Sequence, residues 1–140
     1  MRHFFFLLLI STLVITGCKK ADNKELKSSS LIVGSWRLNS YSGGIAGFRH
    51  RAANAGTVVK LVFGSDGTYR QYINGSIQLQ DKYTVLNKYQ FSKDYVSNAL
   101  QVSDDIVGAY SITTGTQDTL FITPVPNWPD AMTSEYVKIK

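Results

Sequence analysis

Residues Val58 to Val85 read VVKLVFGSDGTYRQYINGSIQLQDKYTV, and the alternation within this stretch decides the fold. Val59, Leu61 and Phe63 fall on one side of an extended chain and Lys60 on the other, the period of two that marks a strand. Gly64-Ser65-Asp66-Gly67 supplies a turn into Thr68 to Ile73, and Asn74-Gly75 is the dipeptide suited to a two-residue hairpin, whose central residues adopt positive φ. Ser76 to Val85 then places Ile77, Leu79, Asp81, Tyr83 and Val85 on one face and Ser76, Gln78, Gln80, Lys82 and Thr84 on the other. Only Asp81 interrupts the apolar face, as a rim residue or the mark of a bulge. Three consecutive antiparallel strands follow.

Outside this stretch the strand-like runs are Ser35 to Tyr41, Lys88 to Phe91, Ile106 to Thr113, Thr119 to Thr123 and Glu135 to Ile139, which brings the total to eight. No long helical period appears. Eight short strands with hairpin connections predict an all-β chain, a barrel or a sandwich, and a closed or nearly closed barrel is the preferred reading because full closure removes the edges that invite aggregation. The irregular connections are Ser42 to Gly56, Ser92 to Asp105, which has room for a short helix, and Pro124 to Ser134.

The chain opens differently. Arg2 gives a positive start, Phe4 to Ile15 an apolar run of 12 residues, and Ile15-Thr16-Gly17-Cys18 ends on the sole cysteine. A run that short falls below the ~20 residues needed to cross a bilayer, which makes it a signal peptide. Small residues before the cysteine resemble the lipobox of bacterial lipoproteins, whose Cys18 would be acylated and become the first mature residue. Anchoring through more than one acyl chain is effectively permanent. It also consumes the thiol, leaving no cysteine for a disulfide, a nucleophile or a metal ligand.

Removing 17 of 140 residues leaves 123, the size of one domain. Residues 1–17 are the signal, 18–30 the lipidated cysteine and a flexible tether, and 31–140 the barrel domain. The tether Lys19 to Ser30 has one large apolar residue, Leu26, and cannot bury enough to order itself. From Leu31 onward ten basic residues face eight acidic ones, so most of the formal +5 lies outside the domain. That balance and the export signal argue against nucleic acid as a partner. His50 is the only histidine after the signal. There are no carboxylates paired at a catalytic spacing, no metal-ligand cluster and no nucleophile beside a base, so neither an enzyme nor a cofactor is expected.

Gly34-Ser35-Trp36 resembles the glycine-x-tryptophan signature of lipocalins. With Trp36 to Gly47, Phe63 to Tyr69, Asn74-Gly75 and the ending Ser134 to Ile139, the chain from about Leu31 onward is similar to the lipocalin-like domain of Gram-negative bacterial lipoproteins. The resemblance implies an eight-stranded antiparallel up-and-down barrel, often with an interior site for a small apolar or amphipathic molecule. It also implies a tryptophan packed at the closed end beneath a basic residue of the last strand, here Lys138 or Lys140. Lysine rather than aspartate after Cys18 matches the outer-membrane sorting pattern, on either the periplasmic or the cell-surface face.

Eight strands enclose a space that side chains fill or that holds one small ligand. The inward candidates for a ligand site are Leu38, Val59, Leu61, Tyr69, Gln71, Tyr83 and Tyr110, with Arg49 and Arg51 on a flap over the rim. Ser42 to Gly47 is glycine-rich but lacks the Gly-Lys-Ser/Thr of a phosphate loop. Trp128, between Pro126 and Pro129, is a candidate exposed aromatic. Two functions stay open: an outer-membrane-anchored protein that binds a small apolar or amphipathic molecule in its barrel, and a filled barrel that serves as an interaction module, an inhibitor or accessory subunit with a protein partner.

Overall fold

The structure, a computed structural model, describes residues 29–45, 47–124 and 130–140, with residues 48–50 described by their backbone alone. Residues 29–32 form a single helical turn, followed by nine strands. These are β1 (Gly34–Gly43), β2 (Phe48–Ala52), β3 (Val59–Phe63), β4 (Thr68–Ile73), β5 (Ser76–Ser92), β6 (Tyr95–Val102), β7 (Asp105–Thr113), β8 (Thr119–Thr123) and β9 (Met132–Ile139). Each neighbour is antiparallel, and β9 pairs back onto β1 along Ser35 to Gly43. On the other edge of β1, β3 takes Gly34 to Arg37 and β2 takes Ser40 to Gly43. β2 and β3 therefore share one position of the wall, and the barrel is a closed, eight-stranded, antiparallel one.

The number eight is reached by a different assignment from the one the alternation suggests. Ser76 to Val85 and Lys88 to Phe91 are a single strand, β5, in which a bulge and a positive φ at Lys88 absorb the break in pattern. Ser92 to Asp105 holds no helix. It contains β6, and Val102 lies opposite Asp105 so that Ser103, at φ 55°, and Asp104 make a tight turn. The connection Ser42 to Gly56 is likewise not wholly irregular, because β2 is hydrogen-bonded to β1 and Ala53 packs against the core. At the front, the described residues open with the helical turn 29–32, in which Ile32 is fully buried.

Because the strands alternate in direction, the turns at 64–67, 93–94 and 114–118 lie at the end where β1 begins, together with residues 29–32. That end is packed shut. Trp36 is wholly buried, and its Nε1 donates to the Ile32 carbonyl at 2.7 Å. Burying so large a ring contributes on the order of 4 to 6 kcal/mol of transfer free energy. Lys138 Nζ stands 5.1 Å from the centre of the indole and donates to the Leu31 carbonyl at 3.4 Å. Gly34 makes this crossing accessible: its φ is 133°, and a Cβ there would come within 2.9 Å of Lys138 Cε. Below the tryptophan, the Phe63 ring meets Tyr69 at 5.3 Å and Tyr83 edge-on at 5.1 Å.

Candidate functional site: the barrel cavity

Towards the opposite end, where β1, β4, β6 and β8 finish, the interior is not filled. A cavity of about 250 Å³ sits between walls of β3 to β9. Its apolar lining is Leu61, Leu79, Leu100, Val102, Val107, Ile122 and Pro124, and its polar groups are Gln71, Ser134 and the phenols Tyr69 and Tyr136.

Register explains how these side chains meet. Leu61, Gln71 and Leu79 are directly paired across β3, β4 and β5, and paired residues share a face. On the far wall Ile122 pairs with Ser134, and Leu120 with Tyr136. A bulge in β5 places Leu79 opposite Gln71 but Ile77 opposite Tyr72, so Gln78 is the extra residue. Ile77 is thereby turned to the outer face, 53% exposed, instead of continuing the inward row with Leu79. Asp81 is exposed and bonded to the Ser103 hydroxyl and the Lys82 amide, which lower its pKa and hold it as a carboxylate outside the cavity.

The cavity carries no net charge. Burial pushes the Tyr69 phenol well above the ordinary tyrosine range, and the nearby Tyr136 phenol adds to the rise. Burial also raises Tyr136, to about 12, although a hydrogen bond with Ser134 works against it. Both phenols are neutral at physiological pH and able to donate as well as accept. No Asp, Glu, Lys or Arg lines the space among the described residues. An apolar cavity of about 150 Å³ is enough to hold benzene. The geometry here suits an uncharged molecule somewhat larger than that, with an apolar body and one polar group near Gln71, Ser134 and the two phenols.

Of the sequence candidates, Leu61, Tyr69 and Gln71 line this cavity. Leu38 and Tyr110 are buried in the core beside it, and Val59 packs against that core. Tyr83 belongs to the packed end, where its hydroxyl donates to the Gly64 carbonyl at 3.1 Å. Arg51 is exposed on β2 opposite Tyr41, which pairs in turn with the cavity residue Ser134, and it lines a second groove with Tyr41, Asn54 and Met132. Arg49 lies on β2, but its side chain is outside the described residues, as are Cys18 and Trp128.

The members missed in the sequence are Leu79, Leu100, Val102, Val107, Ile122, Pro124, Ser134 and Tyr136. Leu120 and Ile122 carry a clear period of two, which is signal enough for the β8 wall. Leu100 and Val102 lie in a stretch whose pattern reads as irregular. Among the described residues no group of three or more His, Cys, Asp or Glu could hold a metal ion. In comparisons with known proteins, no family model, no curated protein and no solved structure matches this chain.

Proposed function

We propose that the protein is a lipid-anchored, lipocalin-like binding protein of the outer membrane, which carries a small apolar or amphipathic molecule inside its barrel. The observation that carries the binding half of this is the uncharged cavity of about 250 Å³ with Tyr69, Gln71, Ser134 and Tyr136 among apolar walls. A few placed polar groups in an otherwise apolar concavity are what small-molecule sites look like. The cavity favours this over a filled barrel that acts only through its outer loops. The anchoring half rests on the pattern from Arg2 to Cys18.

Leu61→Trp tests the site. Leu61 is 2% exposed and lies on the cavity wall, so the larger ring projects into free space. An apolar reporter dye should bind the parent at about one site and the variant not at all, with a stability cost under about 1.5 kcal/mol because the added atoms fill a void. A parent that takes up no dye, together with a variant destabilised by about 1 to 3 kcal/mol from overpacking, would favour the interaction module. Native mass spectrometry of the purified protein looks for the natural occupant directly. For the anchor, Cys18→Ser should move the protein out of the membrane fraction, since a serine hydroxyl cannot form the thioether.

A further inference from the structure

The second half of β5 and the first half of β6 leave the barrel. β4 pairs with β5 only as far as Lys82, and β7 pairs with β6 only from Ala99 onward. Leu86 to Ser92 and Tyr95 to Asn98 are thus registered only with each other, as a two-stranded ribbon. Such a ribbon is marginal in water on its own. Its rings cluster: Tyr89 meets Phe91 edge-on at 4.9 Å, and Phe91 meets Tyr95 at 5.5 Å. None of the three belongs to the barrel's core cluster. Tyr95 is 36% exposed and the neighbouring Val96 55%, while Lys88 and Lys93 are exposed on the same ribbon.

The described chain enters at the base of this ribbon. Ser29, Ser30 and Val33 share a surface groove with Tyr83, Thr84 and Val85, where β5 departs from the wall. Between Cys18 and Ser29 lie ten residues. Fully extended they reach no more than about 40 Å, and a flexible chain of that length averages nearer 20 Å. The ribbon from Leu86 to Ser92 projects roughly 20 Å at about 3.3 Å per residue. The reach of an anchor at Cys18 and the length of the ribbon are thus of the same order, which brings the ribbon's tip within range of the bilayer surface.

We infer that the β5–β6 hairpin is a second membrane contact, which seats Tyr89, Phe91, Tyr95 and Val96 among lipid headgroups and directs the cavity end of the barrel away from the bilayer. This rests on the lipid-anchor reading. Tyrosine rings suit the interface because one edge is apolar and the hydroxyl wet, and lysine stems lie along apolar surface while the ammonium reaches phosphate. Anionic lipid attracts such lysines at short range.

The test uses the full protein purified from membranes and reconstituted into vesicles of phosphatidylethanolamine and phosphatidylglycerol that carry a nitroxide-labelled lipid. Tryptophan is introduced in separate variants at Tyr95→Trp, at Val96→Trp as a second choice should the first perturb folding, and at Ile45→Trp. Ile45 is 78% exposed in the connection at the opposite end. The expected result is loss of about half or more of the added emission for the hairpin variants and none for Ile45→Trp, as for aromatic residues placed at or away from the interface. Intact mass on the same samples reports acyl chains on Cys18. An acylated protein that floats with the vesicles but shows no hairpin quenching overturns the inference alone and leaves the ribbon to a protein partner. Equal quenching at Ile45 also overturns it. A protein without acyl chains that does not float overturns the anchor reading and the inference with it.

Discussion

The two ends of the barrel are built from the same alternating strands and filled in opposite ways. At the packed end the inward positions carry Trp36, Phe63 and Tyr83, and the helical turn at 29–32 seals them with Ile32. At the cavity end the inward positions along the same strands carry Leu61, Gln71 and Leu79, with Ser134 opposite, and a void remains. Period two decides which face a residue takes. Side-chain volume, residue by residue along the axis, decides whether that face closes or stays hollow. Close packing and open space are thereby assigned to different halves of one wall.

The sharpest way to break that division is Trp36→Ala. Losing a fully buried tryptophan and its bond to Ile32 should cost about 3 to 5 kcal/mol, read as a fall in the urea midpoint. Dye uptake below that midpoint should persist, because the indole does not line the cavity. A folded variant without dye binding would mean that the two ends act as one unit.

The phenols sharpen the comparison from the other side. Tyrosine in an unfolded chain ionises near pH 10, whereas Tyr136 is pushed up to about 12 in the fold and Tyr69 is raised as well. The folded state keeps these protons after the unfolded state has released them, so the stability they confer is complete below pH 10 and declines as the pH rises towards 12. For Tyr136 the decline is on the order of 2 to 3 kcal/mol at about 1.36 kcal/mol per pH unit. Urea titrations between pH 8 and 12 measure it, and Tyr136→Phe should remove that share. A flat response would place the phenols in water.

The smallest effect is expected at Lys138→Met. Its ammonium over the Trp36 ring is worth about 0.5 to 1 kcal/mol, and the half-exposed contact with Asp118 at 3.9 Å adds little. The urea midpoint should move slightly and dye binding not at all. Altered dye binding would contradict the separation of the ends.

Much of this is legible from residues 58–85. The β3–β4–β5 order, the Asn74-Gly75 hairpin and the inward phase of Leu61, Tyr69 and Gln71 all follow from alternation and turn chemistry. Ile77 escapes because a bulge at Gln78 reverses the phase of everything beyond it, and a bulge leaves no mark in an otherwise regular pattern. β6 escapes because Ala99 and Leu100 are adjacent, apolar and both buried, which no period of two describes. Tyr83 and Gln71 illustrate the deeper limit. Both sit on inward phases, yet one packs against Phe63 and the other faces the void, and only their height along the barrel separates them.

The bond from Trp36 to Ile32 has a mechanical side. A pull on the chain ahead of Ser29 reaches the barrel through that single turn and then runs along β1, which is hydrogen-bonded to β3 and β2 on one edge and to β9 on the other. Those bonds lie crosswise to the load, so they resist together in shear, whereas the bonds of an unzipping hairpin break in sequence. A load that enters at Ser29 therefore meets a strand bonded along both of its edges.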